Sequence, residues 1–490
     1  MARDGAEADG RHAHQNGTTV ARSGACLLPG HGRSQGGRGS SQQPGYAAAD
    51  DAISTRLEGA RTMEPPQNLT VDEIDLSDDK FWGLPIDQRD GAFKTLREQR
   101  PLAHYEEPDV AGYEEFVTKG DGYYAVTRHA DILACSRQPE IFSSAKGIAG
   151  ALDQPEMFTE FFGSMIAMDD PRHGRLRRIV AAGFTPRMLK QLEDQVQVAA
   201  SQIVDDVAPT GECDFVTEVA AKLPLKIICD MMGVPKSDYD TVFTRSNIIL
   251  GAGDPEYAPE GGNIAMALLS AGAELAQMMA ELGQYRREHP SDDLTSALVN
   301  ASVDGEGLSD AELGSFFILL VVAGNETTRN AISSALEELT RHPDQRAIWM
   351  EDFEGLAPSA VEEIVRWATP VNHMRRTALK DSDVNGHPVK QGDKFLMFYR
   401  SANRDEAVFE NPYSFDLGRS PNDHVGFGGP GPHFCLGAHL ARREITVMYR
   451  ELFRRLPDIE MSGEPDRLLS NFINGIKHLP CTFTPRDRTT

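Results

Sequence analysis

The sequence predicts a mainly α-helical protein with small β-sheets, an α+β fold. Three observations predict it. Helical periodicity of apolar residues runs through 188–207, 264–287 and 309–341. Strand-like pieces are few and short, at 122–127, 384–389 and 394–399. No internal repeat and no Gly/Ser/Pro linker interrupts the chain from residue 70 to residue 490, so this stretch is expected to fold as one large domain.

Residues 1–62 are set apart by composition. They hold 11 glycines and few large apolar side chains, too little to offset the entropy of ordering. They are expected to be a disordered N-terminal extension, or the result of a mis-assigned start with Met63 as the true one. Among the helical segments, 309–341 stands out. Ser309-Asp310-Ala311-Glu312 is a capping box, and His342-Pro343 stops the pattern. Its middle, Phe316 to Val322, is apolar on every side, so this helix is expected to be buried and to cross the domain. A helical unit of this size is easier to explain around a large buried cofactor.

Charge and cysteine usage narrow the function. The chain of 490 residues carries 49 Lys+Arg against 74 Asp+Glu, a net charge of −25. That balance argues against nucleic acid as a partner and against docking on an anionic membrane. The longest apolar run, Phe316–Ala323, falls far short of the roughly 20 residues a membrane span needs. Six scattered cysteines make no disulfide framework, which favours a reducing cytoplasm.

Four constellations carry chemistry. In the buried helix, Ala323-Gly324-Asn325-Glu326-Thr327-Thr328 places an acid beside two hydroxyls. Such groups are costly in an apolar setting unless water or a ligand satisfies them. Gly324 removes a side chain where something flat would approach. The hexapeptide reads either as a proton-delivery pair, Glu326 and Thr327, or as a kink with threonine bonding back to the previous turn. Glu363 and Arg366, at i and i+3, share a helix face in a fairly apolar neighbourhood; alone, such a pair says little. The Gly/Pro-rich run Phe427 to Gly437 delivers Cys435 to the start of a helix, where the dipole and free N–H groups favour thiolate. That thiol reads as a metal ligand or nucleophile, or as an inert buried cysteine. Finally, Arg172-His173-Gly174-Arg175-Leu176-Arg177-Arg178 is a basic cluster in an acidic chain, with His173 and Arg177 on one face. It suits a solvated helix end, a buried carboxylate or an acidic partner protein. Gly426-x-Gly428-x-x-Gly431 mimics a dinucleotide fingerprint, but no apolar strand precedes it and Pro430 and Pro432 interrupt the helix start. Electrons are therefore expected from a partner protein.

In this order and spacing the four constellations resemble the cytochrome P-450 superfamily, over roughly residues 70 to 485. The resemblance implies a P-450 fold with a long helix over haem b (iron protoporphyrin IX) and O2 as co-substrate. It implies Cys435 as the axial iron ligand, in a loop carrying one extra residue before it, and Phe427, Gly431, Gly437, Ala323 and Gly324 against the cofactor. His173, Arg177, Arg376 and His433 match propionate contacts. Glu363 and Arg366, with Arg419 as third member, match a structural pair. Glu326 and Thr327 match the acid–alcohol pair that relays protons to dioxygen. Phrases outside these motifs, such as Phe162-Gly-Ser-Met165 and Gly475-Ile-Lys-His478, resemble actinobacterial-type enzymes that ω-hydroxylate methyl-branched lipids and sterol side chains.

That resemblance implies a monooxygenase acting on a terminal methyl of a branched lipid, terpenoid or steroid side chain. Ferredoxin and ferredoxin reductase would supply electrons to a monomer. Ile166, Val322, Val371 and Phe472, with Ala323, are the candidate substrate contacts. A different hydrophobic substrate (a monoterpene alcohol or polyketide), a peroxide-driven variant, and a non-catalytic haem or lipid binder are the alternatives. Because bacterial ferredoxins are usually acidic, Arg172, Arg175, Arg178, Arg442 and Arg443 are expected to form a basic docking face.

Overall fold

The capping box at Ser309 builds the centre of the molecule. In the computed structural model, Ser309 Oγ accepts from the Glu312 N–H at 3.2 Å and Glu312 Oε2 accepts from the Ser309 N–H at 3.0 Å. The helix they start runs Asp310–Arg341 and spans about 48 Å at 1.5 Å per residue. The structure describes residues 64–488 except 110–116, 118, 185, 252–253, 258–263, 303–304 and 306. The expectations for residues 1–62 and for a start at Met63 lie outside the described residues.

The principal helices, in chain order, are α1 (Ile86–Gln99), α2 (Glu156–Gly163), α3 (Arg172–Gly183), α4 (Pro186–Val207), α5 (Lys222–Met232), α6 (Ile264–Glu288), α7 (Asp310–Arg341), α8 (Phe353–Ala368) and α9 (Ala438–Arg455). The central helix α7 packs against α2, α5, α6, α8 and α9. Its apolar middle explains why: Phe316, Phe317, Ile318 and Val321 are buried in the largest apolar cluster, together with residues of α4, α5, α6 and α9. Gly314 lets α6 and α7 approach closely, since a Cβ there would sit 3.2 Å from the Ala276 methyl.

The strands are β1 (Leu102–Tyr105), β2 (Tyr123–Val126), β3 (Phe142–Ser143), β4 (Glu212–Asp214), β5 (His373–Ala378), β6 (Ser382–Val384), β7 (His387–Val389), β8 (Lys394–Phe398), β9 (Glu460–Met461), β10 (Asp466–Arg467), β11 (Ile476–His478) and β12 (Pro480–Thr482). The largest sheet has the order β1-β2-β8-β5-β3, with β2 and β8 parallel and the other neighbours antiparallel.

Two strand expectations change. The segment 384–389 is a hairpin, β6 and β7, because Asn385 and Gly386 both take positive φ and reverse the chain. The segment 394–399 ends as a strand at Phe398, and a short helical turn, Tyr399–Ala402, follows. The cysteines are less scattered in space than in sequence. Cys213 and Cys481 face each other across β4 and β12 as free thiols, Sγ to Sγ 3.5 Å.

Candidate active site

The Gly/Pro-rich loop turns back on itself before α9. Gly428 and Gly431 take φ of 85° and 155°, and a Cβ on Gly431 would lie 2.4 Å from the Ser136 carbonyl oxygen, so glycine is required there. The Gly428 N–H donates to Val425 O at 2.9 Å and the Cys435 N–H to Phe427 O at 3.0 Å. The extra residue in the loop therefore leaves Phe427 hydrogen-bonded directly to the Cys435 backbone. Cys435 is exposed, three residues before the first residue of α9. Surrounding protein still raises its thiol pKa. The N–H groups of Gly437 and Ala438 and the charges of Arg177 and Arg442 oppose that rise and favour thiolate.

Four basic residues from three places converge beside this loop. His173 and Arg177 come from successive turns of α3, Arg376 from β5, and His433 from the loop itself. The His173 and His433 rings lie 4.1 Å apart. Arg177 Nη2 donates to Phe434 O at 2.8 Å, and Arg376 Nη1 to Arg375 O at 2.7 Å. Burial, then the charges of Arg376, His173 and Arg177, push the His433 pKa down to about 3. Burial and Arg177 also lower His173, despite Asp170 at 3.7 Å from its Nδ1. His173 Nε2 and His433 Nδ1 are buried with no hydrogen-bond partner in the protein. Buried donors in this state are rare in native proteins and point to a ligand.

On α7 the hexapeptide divides by helix face. Ala323 is exposed in the middle of this otherwise buried helix. Thr327, one turn on, shares its face and donates to Ala323 O at 2.6 Å. Glu326 points elsewhere. It is buried, ion-paired with Arg329, and accepts from Asn330 Nδ2 at 3.0 Å. The structure therefore does not hydrogen-bond Glu326 to Thr327; successive residues lie about 100° apart round a helix. Gly324 also departs from expectation. Its missing Cβ would lie 2.8 Å from Ile228 Cδ1, so the glycine serves the packing of α5 on α7 rather than an open face.

Glu363 and Arg366 on α8 are fully buried rather than partly so. Arg366 donates to both carboxylate oxygens of Glu363, at 2.7 and 2.8 Å, and to the carbonyls of Asn403, Pro412 and Ser414. Arg419 Nε completes the triad at 3.1 Å from Glu363 Oε2. Burial would raise the Glu363 pKa, but the two guanidinium groups outweigh it and hold the carboxyl below its usual value.

The candidate substrate contacts are half-buried. Ile166 and Val322 pack against the α7 cluster, while Val371 bridges to Ile473 and the Asn372 N–H donates to Phe472 O at 2.8 Å. Two buried groups escaped sequence reasoning. His373, beside the Phe472 ring, has neither ring nitrogen partnered, and burial lowers its pKa to about 4. Glu444 on α9 is buried with its pKa raised to about 8, against Thr328 of α7. An acid one residue after Arg442-Arg443 reads as a surface charge in sequence.

The expected basic docking face is mostly committed elsewhere. Arg172 pairs with Glu160, Arg175 with Glu312, and Arg442 with Glu362. Arg178 donates to Gly174 O, and Arg443 Nε is buried. Carboxylates of this acidic chain pair with three of these five arginines, so local basic sequence does not by itself give a free basic surface.

The sequence profile of the family described as Cytochrome P450 matches residues 262–464. The methyl-branched lipid omega-hydroxylase of Mycobacterium tuberculosis is 48% identical over 88% of this chain and 99% of its own length. The steroid C26-monooxygenase of Mycolicibacterium smegmatis is 39% identical, over 82% of this chain and 91% of its own. A solved Mycobacterium marinum cytochrome P450 in complex with pseudoionone superposes with a TM-score of 0.79 at 43% identity, covering 84% of this chain and 98% of that one.

Proposed function

The chain belongs to the cytochrome P450 family, and from that premise we propose that it hydroxylates the terminal methyl group of a methyl-branched lipid or steroid side chain, with electrons from a ferredoxin and its reductase. The enzyme is a monooxygenase that uses haem b and O2. One observation carries the finer reading: the relative named as a methyl-branched lipid omega-hydroxylase matches over 99% of its length at 48% identity. Among the described residues no helix is long and apolar enough to cross a membrane. A cytoplasmic location, expected from the scattered cysteines, is part of this proposal.

The residues present fit haem. The orphaned nitrogens of His173 and His433, with the cations of buried Arg376 and of Arg177, form a donor set suited to two carboxylates. Cys435 would be the axial ligand, with Phe427, Gly431, Gly437 and Ala323 against the ring. When bound, the haem supplies dioxygen activation, and thiolate ligation favours O–O cleavage. Overall, substrate C–H, O2, two electrons and two protons give the alcohol and water.

This chain's part in that reaction is binding and proton handling. Thr327 Oγ1, now donating to Ala323 O, holds a proton on the face that Ala323 exposes. Glu326 would supply protons after leaving Arg329. Half-buried Ile166, Val322, Val371 and Phe472 offer an apolar, water-excluding surface to a hydrocarbon chain.

Haem-loaded enzyme, ferredoxin and reductase, given branched fatty acids, 3-keto steroids, monoterpene alcohols and a polyketide, test the proposal. Spin-state shifts and terminal alcohols from the first two classes are expected. Turnover confined to the last two, or oxygen placed only at internal carbons, would overturn it.

A further inference from the structure

Arg442 lies on α9, two turns after Cys435, and was expected to face a redox partner. The structure leaves it half-buried and pairs it within the protein. Its guanidinium sits 4.4 Å from the centre of the Phe427 ring. Arg442 Nε and Nη2 both donate to the carboxylate of Glu362, the residue before the buried triad acid, with Nη2 at 3.0 Å. His424 Nε2 lies 2.9 Å from the same carboxylate, and the Gly426 N–H donates to its Nδ1 at 3.0 Å. Phe427 in turn accepts the Cys435 N–H. A continuous chain of contacts therefore runs from Glu362 through Arg442 and Phe427 to the Cys435 backbone. Glu362 is held ionised. Burial would raise its pKa, but His424 and Arg442 bring it down to about 2.

We propose that Arg442 and Glu362 are positioning residues that set the electron-donor strength of the Cys435 ligand, with Arg442 lowering it and Glu362 limiting how far. The inference rests on Cys435 being the iron ligand. A cation over the ring of Phe427, the residue whose carbonyl accepts the Cys435 N–H, favours the form of the centre that has gained an electron, and so raises its reduction potential. A carboxylate paired with that cation offsets part of the effect. Removing the two groups must therefore move the potential in opposite directions, which a purely structural ion pair would not do. Because two of its nitrogens are held by Glu362, Arg442 should matter less to a docking partner than to the potential.

The test is the midpoint reduction potential of haem-loaded wild type, Arg442→Gln, Arg442→Lys, Glu362→Gln and the double variant Arg442→Gln/Glu362→Gln, beside the position of the ferrous–CO band. Arg442→Gln should shift the potential down and Glu362→Gln up. Arg442→Lys should fall between Gln and wild type, and the double variant should return towards wild type. Arg450→Gln breaks a similar pair with Glu354 further along α9 and should leave the potential unchanged. Equal-sign shifts, or no shift accompanied by a higher KM for ferredoxin, would overturn the proposal. If Arg442→Gln fails to take up haem, the Lys and Glu362 variants still decide the sign. A wild type without a thiolate-type CO spectrum would instead sink the assignment of Cys435.

Discussion

Two of the buried clusters of basic residues in this fold end in different states. In the Glu363–Arg366–Arg419 triad, Arg366 spends its donors on one carboxylate and three carbonyl oxygens, and the Asp416 N–H donates to the same carboxylate. In the His173–Arg177–Arg376–His433 cluster, Asp170 stands 3.7 Å from His173 Nδ1, His173 Nε2 and His433 Nδ1 are left unpartnered, and burial lowers the pKa values of His173, Arg376 and His433. The first cluster is complete within the protein and holds α8 to the loops around Asn403 to Ser414. The second leaves ring nitrogens unpartnered, as the propionate site proposed for it requires. Glu444 shows a third solution: burial pushes its pKa up to about 8, which favours the neutral acid.

Breaking the complete cluster should have the largest effect. Glu363→Gln strands two buried guanidinium groups and should cost about 3–5 kcal/mol, read as a lower denaturant midpoint. A shift below about 1 kcal/mol would mean that the surrounding carbonyls suffice.

The pH dependence of stability tests the third solution. The folded pKa of Glu444, about 8, lies above its ordinary 4.5, so between these values the folded protein binds the extra proton. This contribution is fully present below about pH 4.5 and is lost as pH rises towards 8, by at most about 1.4 kcal/mol per pH unit. Glu444→Gln should therefore gain stability relative to wild type between pH 5 and pH 8 in thermal unfolding. A parallel pair of curves would show that the acid is already ionised.

The incomplete cluster should respond in the opposite sense to the complete one. Arg376→Gln should leave the haem-free protein as stable as wild type, while haem transfer to a scavenging globin speeds up by the loss of one charged contact, about 1.5–3 kcal/mol. Equal destabilisation of the haem-free protein would erase the distinction between the two clusters.

Legibility in the sequence followed the range of the interaction. The capping box, the central helix and the start of α9 depend on neighbours three or four residues apart, and they appear where periodicity places them. The Glu363–Arg366 pair was visible as spacing, but not its complete burial, which is contributed by segments some 40 to 50 residues later. Asn385-Gly386 was a legible hairpin signal inside a stretch read as one strand. His373 and Glu444 carried no local signal, because their pKa values come from what other elements pack against them.

By itself the sequence determined the helical architecture, the cysteine loop and the family, since each rests on residue identity and short spacing. Only the tertiary structure decided which charges are spent and which remain for a ligand. It turned Arg442 onto Phe427 and Glu362, pointed Gly324 at Ile228, and parted Glu326 from Thr327. The physical reason is that a side chain's partners are set by the elements folded against it, and in an acidic chain a carboxylate from a distant segment reaches most arginines first.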